Sequence, residues 1–429
     1  TLLELADKVP DKRDEYLGDA RELLDELQAE EDLEPGAKAG LLTGLGDVTY
    51  LDHAASTPMR PEAIEAMLPF LDDTYANPSG SHRFARRARK AIDESRDRVA
   101  AVVGCRPNEV VFTGCGTESD NMAITGAVSR RGGVAVCSAA EHPAVRDVVE
   151  ARGGAVVGTD EFARIDLDEL GARLDELVAV EGGVSVVSAM AVNNEVGTFT
   201  DLAAVADVTH RRAPGALVHT DAVQAPCWLD LRAVIPHVDL LALSGHKFGG
   251  PKGVGVLVER GGPKVDALVL GGGQERERRS GTHNVAGIVA MATALELTDV
   301  ERADELVRLS ALRDRLVDGL IERVGGIVET VPRDAPGVTK AAGSAHVCVE
   351  GVESEALLFL LDEADVCASA ASACASGAME PSGVLAAMGV DVRHAMGALR
   401  LSLGHASTDA DVDRGIDAIA TAVARLRSR

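Results

Sequence analysis

Aromatic side chains make up only 3% of the 429 residues, so the interior has to be built from Ala, Val and Leu, as packed α/β layers are. No apolar run approaches the roughly 20 residues of a membrane-spanning helix, and no membrane association is expected. The opening Thr1-Leu-Leu-Glu-Leu-Ala-Asp7 lacks the basic-then-apolar pattern of a secretory signal, which leads us to expect a cytoplasmic protein. Positive charge is short: 43 Lys and Arg face 68 Asp and Glu, a formal net charge of −25. That balance argues against direct nucleic-acid binding through a basic surface. No C-x-x-C pair occurs among the seven cysteines at 105, 115, 137, 227, 348, 367 and 374, so a zinc ribbon or thioredoxin-like site lacks support. No metal is expected. In a reducing compartment most of these cysteines are small buried hydrophobes.

What is present reads as ordinary globular protein, 46% hydrophobic and 26% charged, long enough for two packed domains. Residues 1–45 stand apart. Asp11 to Glu34 is dense in charge, with Tyr16, Leu17, Leu23, Leu24 and Leu27 at helical spacing before Pro35-Gly36. This predicts an acidic helical N-terminal extension. From Val48 onward, apolar runs at 109–113, 134–137, 184–189, 216–220 and 240–244 predict buried strands. Helical stretches at 83–103, 167–178 and 202–211 lie between them. Such alternation predicts a mainly parallel sheet covered on both faces, with a binding site past the carboxyl ends of its strands. After about residue 300, helices over 301–324 and 409–427 flank strand-like pieces at 343–349 and 399–403, which predicts a smaller α+β domain.

Polar motifs sit at the ends of the predicted strands. The strand Asp239-Leu-Leu-Ala-Leu delivers Ser244, His246 and Lys247 to a glycine-rich turn. A lysine in such a pocket can have a lowered pKa and bond an aldehyde carbon, although a loop lysine is more commonly at the surface. The strand at 216–220 ends in Asp221-Ala-Val-Gln224; a buried carboxylate there needs a partner, and a helix-capping role is the plainer alternative. In Phe112-Thr-Gly-Cys-Gly116-Thr117, strand gives way to helix, an arrangement whose free N–H groups suit phosphate. It matches neither G-x-x-x-x-G-K-[ST] nor G-x-G-x-x-G. Ala140-Glu-His142-Pro offers an imidazole that can stack on a flat ring, and Asn193-Asn194-Glu offers amides to an anionic oxygen.

In this order the motifs resemble those of the cysteine desulfurases, pyridoxal-phosphate (PLP) enzymes of the class V aminotransferase fold. The resemblance runs from about Val48 to Leu426 through Tyr50-Leu-Asp-His-Ala-Ala-Ser-Thr-Pro58, Asn77-Pro-Ser-Gly-Ser-His82, Thr117-Glu-Ser-Asp-Asn121, Asn193-Asn-Glu-Val-Gly197 and Ser244-Gly-His-Lys247. It continues through Gly271-Gly-Gly-Gln-Glu-Arg276, Arg279-Ser-Gly-Thr282, Ser372-Ala-Cys374, Glu380-Pro-Ser382 and Arg400-Leu-Ser-Leu-Gly404. The fold this implies is PLP-dependent transferase fold type I. Its large PLP-binding domain would cover 61–300 and its small α+β domain 46–60 with 301–429.

The resemblance implies that Lys247 carries PLP, that Asp221 pairs with the ring nitrogen and that Gln224 meets the ring oxygen. His142 would stack on the ring. Gly116, Thr117, Ser244 and His246 would hold the phosphate, with Thr282 reaching in from the second subunit of a homodimer. Asn194 and Arg400 would orient the carboxylate of L-cysteine. Cys374 would take the sulfur as a persulfide, leaving L-alanine, with Lys247 and His142 moving protons. Its setting among Ala, Ser and Gly resembles the family's branch with the longer cysteine loop, which passes sulfur directly to acceptor proteins. An iron–sulfur scaffold, a tRNA-thiolation protein, cofactor biosynthesis or DNA modification all fit as destinations. Departures from the pattern are Ala370-Ala371, Glu277, His283 and His405; Cys367 lies close enough in sequence to oxidise with Cys374. The alternatives within the fold are a selenocysteine lyase, a cysteine-independent lyase or an aminotransferase; an aminotransferase would not need Cys374.

Overall fold

The computed structural model describes residues 48–179, 183–370 and 382–428; the extension expected over 1–45 and the segment holding Cys374 lie outside the described residues. Along the chain come β1 (Thr49–Tyr50), α1 (Pro61–Met67), α2 (Arg83–Val103), β2 (Val110–Thr113), α3 (Gly116–Arg131), β3 (Val134–Ser138), α4 (Pro143–Ala151) and β4 (Ala155–Val157). Then follow α5 (Leu167–Val178), β5 (Val184–Ser188), α6 (Leu202–Arg212), β6 (Leu217–Asp221), β7 (Leu240–Ser244) and β8 (Gly255–Glu259). The chain continues with α7 (Val285–Arg323), β9 (Ile327–Glu329), β10 (Ser344–Val349), α8 (Ser354–Asp362), β11 (Val366–Cys367), β12 (Ala398–Ser402) and α9 (Asp409–Arg427).

Seven strands form the main sheet in the order β2-β8-β7-β6-β5-β3-β4. From β7 to β4 every pairing is parallel, the arrangement expected of fully buried apolar strands. β5, β6 and β7 are buried along their whole length. β8 runs antiparallel to both β7 and β2. The chain that forms β3 turns outward to β4 and then returns to place β5 on the other side of β3. Such a reversal opens a crevice at the carboxyl ends of the strands.

Predicted helix bounds agree where capping chemistry marks them. At the end of α2, Gly104 takes φ +81°, a left-handed turn that glycine adopts without strain. The Asp166 carboxylate accepts from the N–H groups of Asp168 and Glu169 to start α5. The helix expected to begin at Glu301 begins instead at Val285, where the Asn284 side chain accepts from Gly287 N–H at 3.0 Å. Its first half is buried on nearly every side, from Val285 to Leu295. A helix without a polar face shows no amphipathic period to read. This early half packs into the core beneath the main sheet, while Leu309, Leu312, Leu316 and Leu320 pack into a second core. The second core lies under the antiparallel sheet β12-β10-β9. β1 pairs in parallel with β11, which brings the Asp52–Ala55 turn beside β12.

Candidate active site

An open cleft of about 710 Å³ lies at the carboxyl ends of the parallel strands. The segment after β2 supplies Gly116 and Thr117, that after β3 His142, that after β5 Asn194, and β6 with its following turn Asp221 and Gln224. The end of β7 brings Ser244, His246 and Lys247, and Arg400 reaches in from β12. All ten line the cleft.

The glycine at 116 is required by close approach. A Cβ there would lie 2.7 Å from Val223 Cγ2 and 3.2 Å from Ser244 Cβ. The first N–H groups of α3, which have no partner inside the helix, therefore open beside the Ser244 hydroxyl. That Oγ is buried without a hydrogen-bond partner. Orphaned donors at a helix N-terminus suit an anion such as phosphate.

Lys247 Nζ donates to the carbonyls of Ala54 at 2.7 Å and Ala55 at 2.8 Å. Burial disfavours its charged form and the Arg400 cation adds to this, lowering its pKa to about 8. Gln224 Nε2 donates to the same Ala54 carbonyl at 2.8 Å. His142 caps α4: its Nδ1 accepts from Ala144 N–H at 3.1 Å. Burial lowers its pKa, so the ring is neutral and its proton sits on Nε2. The backbone of Arg400 pairs with Ser369, while its guanidinium binds Asp52 Oδ1 at 2.7 Å and the Asn194 carbonyl at 3.0 Å.

Three carboxyl groups lie at the floor. Asp221 is 5% exposed, Asp120 1% and Glu141 4%. Burial raises the pKa of each, and Asp221 acts on the other two as a neighbouring charge. Buried together, the three carboxyl groups disfavour one another's ionisation, while His142 and Lys247 favour the ionised form of Asp221. Asp221 Oδ1 accepts from Val223 N–H at 2.9 Å, and Glu141 Oε1 accepts from Met190 N–H at 2.5 Å. Asp120 faces His219 at 3.4 Å, and His219 Nδ1 pairs with the Ser188 hydroxyl at 2.9 Å.

Residues 49–414 match the family described as Aminotransferase class-V. The chain belongs to the class-V aminotransferase family. It is 41% identical to the IscS-like cysteine desulfurase of Mycobacterium tuberculosis over 390 residues, 89% of this chain and 97% of that protein. A solved structure of a NifS-like protein superposes with a TM-score of 0.79 at 32% identity, covering 88% of this chain and 100% of that one. Another, SspA in complex with cysteine, superposes with a TM-score of 0.69 at 29% identity, covering 83% and 98% respectively.

Two residues expected at the class-V site are not described within this cleft. Thr282 is exposed and does not line the cleft of its own protomer. Cys374 lies outside the described residues, but Ser369 and Ser382, on either side of it in sequence, both line the cleft. Of the two asparagines, Asn193 is buried and structural: its Oδ1 accepts from Glu195 and Val196 N–H and its Nδ2 donates to the Ala140 carbonyl.

Sequence reading alone did not single out Asp52, Asp120, Glu141 or Glu195. Each stood inside a quoted motif, and that adjacency was the only signal available. Glu195 is buried, accepts from the Ser382 hydroxyl, and is pushed up to about 7 by that burial. Among the described residues no group of His, Cys, Asp and Glu forms a metal site, and no helix is long and apolar enough to cross a membrane.

Proposed function

We propose that this chain is a PLP-dependent cysteine desulfurase, converting L-cysteine to L-alanine and leaving the sulfur as a persulfide on Cys374. The observation that carries this reading is the convergence on one cleft of a lysine with a pKa of about 8, a buried aspartate and a buried arginine. The residues fit PLP. The orphaned Ser244 hydroxyl and the N-terminus of α3 suit its phosphate, together with Thr117 and His246. Asp221, buried with no side-chain ion pair among the described residues, suits its ring nitrogen, His142 its ring face, and Gln224 and Asn194 its polar edge. When bound, PLP supplies an electron sink for the substrate carbon.

The chain's own groups do the remaining work. Arg400 and Asn194 bind the substrate carboxylate, since a planar guanidinium grips a carboxylate at two points. Lys247 Nζ, readily neutral, takes the substrate α-proton, and His142 Nε2 holds a proton near the sulfur. Cys374 attacks as a thiolate, the only competent nucleophilic form: its bond to the substrate sulfur forms as the carbon–sulfur bond breaks. Cys374 follows Ser369 by five positions, a reach of at most about 18 Å from the cleft wall.

Three finer readings accompany this one. The protein works as a homodimer in the cytoplasm, with Thr282 completing the partner's phosphate site. It belongs to the branch with the longer cysteine loop and hands sulfur to an acceptor protein. The small domain comprises 46–60 and 301–429, against a large domain of 61–300. The test is incubation of the PLP-loaded protein with L-cysteine and a thiol reductant, following alanine, sulfide and the visible band. Equal alanine and sulfide, lost in Cys374→Ser, are expected, and Lys247→Ala should lose the band. An unchanged rate in Cys374→Ser would overturn the assignment of the sulfur carrier.

A further inference from the structure

One short turn holds two cations of the cleft at once. Asp52 Oδ1 accepts from Arg400 Nη2 at 2.7 Å, and two residues later the carbonyls of Ala54 and Ala55 accept from Lys247 Nζ at 2.7 and 2.8 Å. Arg400 Nη1 is taken by the Asn194 carbonyl at 3.0 Å. Its Nε is buried with no partner, and the residue as a whole is 5% exposed. A guanidinium offers its donors in one rigid plane, so fixing both Nη groups fixes where the Nε edge points. An unpaired buried N–H costs free energy until an acceptor arrives. Arg400 lines the cleft, and the planar acceptor that matches this edge is a carboxylate.

Resting on the reading of this cleft as a PLP and amino-acid site, we propose that Asp52 is a positioning residue. It orients Arg400 so that the Nε edge meets the substrate carboxylate, while the Ala54 and Ala55 carbonyls form the berth of the Lys247 amine whenever that amine is free. Asp52 also balances charge. The charged and titratable groups facing Lys247 are Arg400, Asp221, Asp52, His142 and His246. Arg400 opposes a proton on the lysine nitrogen, and Asp52 favours one. Removing the Asp52 charge leaves the Arg400 cation less compensated, so that nitrogen gives up its proton at lower pH.

The experiment compares PLP-loaded wild type, Asp52→Asn and Asp52→Glu by steady-state kinetics and by pH titration of the visible band. In Asp52→Asn the KM for L-cysteine should rise about tenfold or more, the scale for loss of a hydrogen bond to a charged group. Uniform loss of binding leaves kcat nearly unchanged. The pH midpoint of the band should fall, and Asp52→Glu should recover part of both effects. Unchanged KM and midpoint would overturn the proposal. So would a parallel loss of PLP content and thermal midpoint that Asp52→Glu fails to recover, since that marks a purely structural role. If wild type loads PLP but does not turn over cysteine, only the desulfurase reading fails. The affinity for L-alanine, read from the same band, then replaces KM: weaker binding in Asp52→Asn supports the positioning role, and unchanged binding overturns it. A wild-type chain that takes up no PLP would overturn both readings.

Discussion

At the scale of single residues, an amine reacts with an aldehyde only when unprotonated, so on the proposed reading burial of Lys247 prepares it to take up PLP. Desolvation, with help from Arg400, lowers its pKa to about 8 from an ordinary 10.5. PLP uptake by the cofactor-free protein should therefore accelerate as pH rises towards about 8 and level off above it. Stopped-flow absorbance checks this; a rate still climbing steeply between about pH 9 and 10 would mean an exposed, ordinary lysine. The same shift affects stability. Between about pH 8 and 10.5 the unfolded chain binds a proton at this lysine that the folded chain does not, so this group's contribution makes stability rise with pH there.

At the scale of elements, α2 is tied to the loop before Thr282 by a buried fork. Arg96 Nη1 and Nη2 donate to Glu275 Oε2 and Oε1 at 2.7 and 2.6 Å. Phe112 N–H and His283 Nε2 complete the carboxylate at 2.9 and 2.7 Å. This loop runs through three successive non-glycine residues with positive φ, Glu275 at +50°, Arg276 at +59° and Glu277 at +66°, a conformation that L-residues adopt at a cost. Burial alone would raise the pKa of Glu275, but the bonds from His283 and Arg96 hold it at about 2. Its contribution is present above the ordinary carboxylate range and is lost as pH falls towards 2. Arg96→Met should destabilise the protein by about 3–5 kcal/mol, the cost of stranding a buried charge. Urea unfolding measures it; a loss near zero would mean that Glu275 finds water or another cation.

For the whole molecule, charge is lopsided. A formal net charge of −25 makes the folded state repel itself, whereas exposed ion pairs such as Arg211–Asp207 contribute only about 0–1 kcal/mol each. Salt screens both, but the net excess is the larger effect. The thermal unfolding midpoint should rise as salt goes from about 0.01 M to about 1 M, where the Debye length shrinks from roughly 30 Å to roughly 3 Å. A fall in the midpoint over that range would mean that attractive pairs outweigh the excess.

The sequence by itself determined the element types and the order of the site motifs. Buried strands are continuous apolar runs, and capped helices such as α2, α5 and α9 carry their end signals locally. What local chemistry does not encode was decided by tertiary structure. The start of α7 is hidden because a helix buried on all sides has no period. The antiparallel entry of β8 is set by its pairing with β2 on one side and β7 on the other. Lys247, Asp221 and His142 were legible as chemistry, since strand ends deliver them. The Asp52–Arg400 pair joins residues 348 positions apart, and only the pairing of β1 with β11 beside β12 brings them together. Protonation is likewise tertiary: Glu141, Glu195 and Lys247 have shifted pKa values because the folded chain removes the water that would hold their charge.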